Sequence, residues 1–293
     1  MEEAIPVILG PTASGKTSLA VALAGRIEAE IISADSRQVY RGMNVGTGKD
    51  LNEYGAVPYH LIDILDAGEK YNLARFQDDF QQAVEKIRAK GRQVVVCGGT
   101  GLYIQSLVQG FSDTYIPENT ILRQELETLP EAELDRRLDA GLPSTRKRKI
   151  RALEIAAFRK AHPGMIFPER EKYDFSLFGL DPPVEIRRAR ISWRLQQRIQ
   201  QEGMIAEVEG LMAAGVSAEV LDYYGLEYKY ITAFLQGLLR YDEMYARLET
   251  EIHRYAKRQM TFFRSMQKKG IAIDWIPFEL SPEEKAEYIM ERR

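Results

Sequence analysis

The chain has 293 residues, 45% of them hydrophobic and 28% charged, enough to bury a core in one large domain or two modest ones. Its formal charge of −3 and pI near 5.8 exclude a protein that coats nucleic acid through general basicity, so a polyanionic partner must be met through local clusters. No apolar stretch approaches the roughly 20 residues of a membrane span, and no basic segment followed by a secretory apolar run opens the chain, so a cytoplasmic protein without membrane association is expected.

In chain order, the apolar run Ile5 to Leu9 reads as a strand and leads into Gly10, Pro11, Thr12, Ala13, Ser14, Gly15, Lys16 and Thr17. These eight residues form a complete G-x-x-x-x-G-K-[ST] phosphate-binding loop, and a helix-favouring run from Lys16 to about Arg26 follows it. The glycines let successive backbone amides converge on phosphate oxygens, Lys16 adds a point charge, and Thr17 offers a hydroxyl to Mg2+. A di- or triphosphate ligand is expected.

Ile31 to Ser33 is a second short strand, and Ser33-Ala-Asp-Ser-Arg-Gln-Val-Tyr40 begins at its end. In an open parallel sheet that edge is where ligands bind. Asp35 there is suited to hold magnesium through water, to act as a general base, or to cap the helix expected to follow. Gly46-Thr-Gly-Lys49 is a further glycine-rich stretch that suits either an anion contact or a plain loop.

Asn72 caps a long helix in which Leu73, Phe76, Phe80, Val84 and Ile87 recur at three- and four-residue spacing before Gly91. Val94 to Val96 is the next strand and runs through Cys97 into Gly98-Gly-Thr-Gly101, where many nucleotide hydrolases carry an acidic metal ligand. An ordinary ATPase is therefore disfavoured. The small residues permit close backbone approach, and Thr100 can donate a hydrogen bond. Cys97, the one cysteine, reads as a small apolar residue closing a buried strand.

After about Gly110 helical patterns take over, punctuated by Pro117, Pro130, Pro143 and Pro163. A pair of helices is expected around Ile121 to Leu138, a basic helix from Lys147 to Lys160, and a loop from His162 to Asp174. An Arg-rich helix from Glu185 to about Ala214 follows, and a last helix from Tyr241 to Phe263. Residues 1–120 hold 11 Lys and Arg against 15 Asp and Glu, leaving 29 against 28 beyond, with the basic residues bunched. The fold class is thus α/β: a P-loop core with a parallel sheet and a helical second region. The expected divisions are 1–110 for the core, 111–180 for a small helical insertion, and 181–293 for helices that pack back on the core.

Taken together, the phosphate loop, Ser33 to Met43, Gly46 to Lys49, His60-Leu-Ile-Asp-Ile-Leu65, Gly98-Gly-Thr-Gly-Leu-Tyr103 and Tyr255-Ala-Lys-Arg-Gln259 resemble the tRNA dimethylallyltransferase (tRNA isopentenyltransferase) family of bacterial type, in order and across most of the chain. The resemblance implies transfer of a dimethylallyl group from dimethylallyl diphosphate to N6 of the adenine just 3′ of a tRNA anticodon. Mg2+ is the implied cofactor, and a monomer is expected. The phosphate loop then holds a prenyl diphosphate in place of ATP; Lys16, Thr17 and Arg194, an Arg of the helical region matched through Arg190-Ile-Ser-Trp-Arg194, handle the leaving group. Asp35 takes the adenine amino proton. By the same resemblance Asp35, Ser36, Arg37, Gln38, Thr100, Arg123 and the stretch Lys147, Arg148, Lys149, Ile150 and Arg151 fall where the family touches tRNA. Lys257 and Arg258 face either the diphosphate or RNA.

The chain departs from the family pattern at Gly225-Leu-Glu-Tyr-Lys-Tyr230, where Glu227 stands at a usual glycine, at His253 and Arg254, and in a short stretch from Gly110 to Arg146. These departures touch the acceptor side. The alternatives are a prenyltransferase acting on free adenylates or on another RNA, a P-loop small-molecule kinase using Asp35 as base, and a non-catalytic RNA-binding paralogue.

Overall fold

Strands buried on both faces of a parallel sheet read as near-continuous apolar runs, and the computed structural model, which describes residues 3–138, 145–167 and 170–293, builds the centre of its sheet from such runs and closes it with two short, less buried edge strands. The strands are β1 (Ile5–Leu9), β2 (Ala29–Ser33), β3 (Tyr59–His60), β4 (Gln93–Gly98), β5 (Phe175–Gly179) and β6 (Asp274–Trp275). All neighbours pair in parallel, in the order β3-β2-β4-β1-β5-β6. The order steps away from β1 on either side, so the C-terminal ends of β1, β2 and β4 open onto one crevice.

Alternation along the strands gives each face its own core. Ile5, Val7, Leu9, Ile32, Val94 and Val96 point to one side. There they meet α2 (Leu73–Arg88), α3 (Gly101–Gln109), α7 (Val184–Gln200), α8 (Met204–Ala213), α9 (Ala218–Tyr224), α10 (Leu226–Leu235) and α11 (Tyr241–Lys268). Ile8, Ile31, Val95, Cys97 and Phe178 point to the other side, against α1 (Lys16–Arg26) and α12 (Pro282–Met290). Cys97 is buried, and burial pushes its thiol up to about 12, which leaves it the inert packing residue its context implies.

The α2 helix forms where its pattern places it, with the Asn72 side chain accepting the Arg75 amide proton at 2.9 Å. Beyond β3, β6, α3, α9 and α10, which the sequence analysis did not anticipate, three differences change its reading. The Arg-rich stretch is two helices, because Gly203 adopts φ 76° between α7 and α8, a left-handed conformation that ends one helix and opens the next. Phe175–Gly179, placed with the insertion in the sequence reading, is a strand between β1 and β6. A further helix, α12, follows α11; its start is a capping box between Ser281 and Glu284.

The chain divides into a larger unit, residues 3–109 and 172–293, and a smaller one, Gly110–Glu171. The smaller unit holds α4 (Thr120–Thr128), α5 (Glu131–Arg136) and α6 (Arg146–Ala161) around Leu126, Leu134 and Ile150. Pro143 lies outside the described residues, as do two residues of the segment read as a loop between His162 and Asp174.

Candidate functional site

The phosphate loop leaves β1 at the sheet edge and turns into α1 through Gly15, whose φ of 88° no other residue adopts cheaply. Gly10 is needed for space: a Cβ there would lie 2.7 Å from the Leu180 carbonyl oxygen. Within the loop the Lys16 ammonium donates to the Pro11 carbonyl at 2.7 Å, which holds it over the curl of the backbone. Burial lowers the Lys16 pKa, Asp35 acts to raise it and Arg194 to lower it. The Ser14 hydroxyl, in a residue 7% exposed, has no hydrogen-bond partner among the described residues, and a bound oxyanion would satisfy it.

A cavity of about 570 Å³ opens over the loop. Lys16, Thr17, Asp35, Arg37, Gln38 and Arg194 all line it, so residues far apart in the chain converge on one space. Asp35 lies two residues past the end of β2, and the helix it was expected to cap does not form there. Its carboxylate accepts the Arg37 amide at 3.0 Å in an Asx turn, which aims one face of the group. Thr100, on the turn after β4, accepts the Ser36 amide at 3.0 Å and donates to the Ser36 hydroxyl at 3.3 Å. Gln38 accepts from Ser33 at 3.0 Å and donates to the Gly48 carbonyl at 3.3 Å. The Asp35 to Gln38 turn is thereby pinned to both neighbouring segments.

Two guanidiniums flank the loop from α7. Arg194 and Arg198, one turn apart, both pair with Asp50, Arg198 at 3.2 Å. Asp50 itself sits at φ 36°, a strained backbone position for a non-glycine residue. Burial and the adjacent Arg198 pull the Arg194 pKa down while Asp50 opposes them, so an added anion would relieve the crowding of positive charge. Arg198 was not singled out in the sequence, although the four-residue step from Arg194 puts it on the same helix face. A second cavity of about 1110 Å³ shares Ser14, Gly15, Arg194 and Arg198 with the first, so the loop is approached from two sides.

The α11 helix supplies a residue that the sequence analysis quoted within a motif but gave no role. Gln259 accepts the Thr12 amide proton at 2.9 Å and donates to the Gly99 carbonyl at 2.9 Å, stitching the phosphate loop to the turn after β4. Gly99 must lack a side chain for this, since a Cβ would lie 2.5 Å from the Gln259 amide nitrogen. The available signal was a polar residue on the apolar face that buries Ile252, Ala256, Met260 and Phe263. Of its neighbours, Arg258 lines the cavity, whereas Lys257 is exposed outside it.

Gly46 to Lys49 has an internal explanation. Lys49, 1% exposed, donates to Asp63, to the Tyr40 carbonyl and to Asn44. The amides of Asn44, Val45 and Gly46 are taken by the Glu207 carboxylate at 2.8 to 3.0 Å, so the anion this loop holds is a side chain of the protein.

In the smaller unit the basic residues divide by role. Arg123 pairs with buried Glu154 at 2.6 Å and with Glu118 at 2.8 Å. Lys149 pairs with Glu131 at 2.7 Å and with Asp135 at 2.5 Å, and Arg151 donates to the Ile116 carbonyl at 2.6 Å. Ile150 is buried in the small core. Lys147 and Arg148 are exposed, with no ion pair among the described residues. No helix among the described residues is long and apolar enough to cross a membrane, and none of their His, Cys, Asp and Glu side chains form a group of three able to hold a metal ion. Thr17 lines the cavity over the loop, where its hydroxyl could hold a cation together with phosphate oxygens and water.

The family model described as IPP transferase matches residues 38–266. The chain is 48% identical over 294 residues to tRNA dimethylallyltransferase 2 of Porphyromonas gingivalis, with 97% of each protein covered. It is 47% identical to tRNA dimethylallyltransferase 2 of Phocaeicola vulgatus, over 97% of this chain and 95% of that protein. Among solved structures it is similar to the full-length tRNA isopentenylpyrophosphate transferase of Bacillus halodurans, 33% identical with a TM-score of 0.73, over 99% of this chain and 95% of that one. Matched along its length in sequence and in fold, the chain belongs to the IPP transferase family, the tRNA dimethylallyltransferases.

Proposed function

We propose that the protein transfers a dimethylallyl group from dimethylallyl diphosphate to N6 of the adenine 3′-adjacent to the anticodon of tRNA. The observation that carries this reading is the convergence of the phosphate loop, Arg194 and Asp35 on one cavity. Breaking the allylic C–O bond leaves negative charge on the diphosphate and positive charge on the allyl fragment. Lys16, Arg194, Arg198 and the loop amides are donors preorganised for the first of these charges. As the N6–C bond forms, Asp35 accepts a proton from the amino group, turning a poor amine into a better nucleophile. Mg2+, held by Thr17 and the diphosphate, supplies further neutralisation of the leaving group when bound.

For the acceptor, the reading is a flipped adenine entering past Arg37, Gln38 and Thr100. Lys147 and Arg148 are suited to phosphate contacts, and Arg123, Lys149 and Arg151 support that surface through the pairs they make. The cytoplasm and a monomeric state belong to the same proposal.

The test is incubation with Mg2+, dimethylallyl diphosphate and unmodified tRNA, followed by digestion and mass spectrometry for N6-dimethylallyladenosine. Separate arms carry AMP, or ATP with candidate hydroxyl acceptors. Product in tRNA supports the reading, product with AMP alone moves the acceptor to free adenylates, and phosphoryl transfer from ATP would make the protein a kinase. Asp35→Ala is expected to lose at least about a hundredfold in prenyl transfer, the usual worth of a general base, while retaining diphosphate binding. Equal loss of both would remove Asp35 from the role of base.

A further inference from the structure

Glu227 is the second residue of α10, and it brings a carboxylate to a position where the family pattern has glycine. It lines the main cavity together with Asp35 and the phosphate loop. With Thr12, Ala13, Arg194 and Arg198 it also lines a small recess at the phosphate end. No ion pair reaches it among the described residues, because both nearby α7 guanidiniums are turned to Asp50.

The charged and titratable groups that face it come from four elements. Arg198 projects from α7, Asp35 and Arg37 from the edge of β2, Tyr228 is its neighbour on α10, and Tyr255 stands on α11. Burial raises the Glu227 pKa; its own backbone amide, Arg198 and Arg37 act to lower it, and Asp35 adds to the rise. The main cavity offers a diphosphate the cations Lys16, Arg194 and Arg198, and Asp50 already counters part of the charge of the two guanidiniums. A charged Glu227 would counter more of it, in direct competition with the ligand. A neutral Glu227 leaves those cations to the phosphates.

We propose that Glu227, set in the cavity among the cations that would hold the diphosphate, governs the affinity of the donor site: in its neutral form it leaves those cations to the ligand, and in its ionised form it competes for them. The inference rests on the reading of this cavity as the prenyl-diphosphate site.

The experiment is calorimetric titration of the full chain with inorganic diphosphate and Mg2+ from pH 5.5 to 8.5, for the wild type, Glu227→Gln and Glu227→Gly. Ionisation of the diphosphate itself is common to all three proteins, so the ratio of affinities isolates Glu227. The variants are expected to gain on the wild type as pH rises, by about three- to tenfold at the alkaline end, the effect of one charge close to an anion. The gain is expected in both variants, which share only the loss of the titrating carboxyl. Parallel profiles for the three proteins would overturn the inference and leave the donor-site reading standing. Absence of diphosphate binding at every pH would overturn both.

Discussion

At the scale of single residues, the site depends on side chains that never reach the reacting atoms. Gln259 is the case in point, since it satisfies the Thr12 amide and the Gly99 carbonyl at once. Gln259→Ala should leave both groups buried without partners, at about 1–3 kcal/mol each, and lower donor affinity by loosening the loop. Gln259→Glu is the sharper test. It keeps an acceptor for Thr12 but sets a carboxylate oxygen against the Gly99 carbonyl, so it should be no better tolerated than alanine. Urea midpoints and the KM for dimethylallyl diphosphate read the two effects, and a Glu variant behaving like wild type would show that the Thr12 bond alone matters. The phosphate loop and Asp35 were legible in the sequence because their chemistry requires particular residue types at fixed spacing. The role of Gln259, present in the sequence only as the end of a motif, and that of Arg198 were not, because they depend on which helix faces come together in space.

At the scale of elements, the same division separates α2 from its neighbours. Its apolar spacing and Asn72 cap are local signals, and the helix runs where they place it. The break at Gly203 is also local, but it was masked by continuous helix-favouring composition on both sides. Phe175–Gly179 carries a strand pattern too short to stand out, and its place between β1 and β6 comes from long-range pairing. The α6 helix illustrates how a charge run divides once it is folded. Lys147 and Arg148 are exposed, while Lys149 and Arg151 hold the small unit together. Replacing Lys147 and Arg148 with Glu is therefore expected to weaken tRNA binding and to reduce the salt dependence of the affinity by about one unit of slope per residue. Donor binding and thermal stability should hardly change. Arg151→Ala should instead destabilise the small unit, since it removes the donor to the Ile116 and Asp113 carbonyls. Filter-binding titrations across a salt series separate the two outcomes; an unchanged slope in the double variant would remove α6 from the tRNA surface.

At the scale of the whole molecule, the α/β class, the helical second region and the return of the C-terminal helices to the core were expected from the sequence, whereas the strand that begins this return was not. That strand is β5, which returns to the sheet after the smaller unit. Its consequence is that the phosphate loop near the N-terminus depends on α7 and α11 far along the chain for Arg194, Arg198 and Gln259. A diphosphate bound at the loop ties these segments together, and binding to the folded state alone stabilises it by mass action. At a hundredfold excess over Kd this amounts to about 2.7 kcal/mol, or a rise in Tm of about 5–10 °C for a unit of this size. Lys16→Ala should lose most of the rise. Hydrogen exchange locates the effect: added protection is expected in the loop, in α7 and in α11, and none in α4, α5 and α6, whose core of Leu126, Leu134 and Ile150 lies wholly within the smaller unit. Protection gained equally in both units would mean that the diphosphate acts on the molecule as one cooperative body, with the smaller unit coupled to the site.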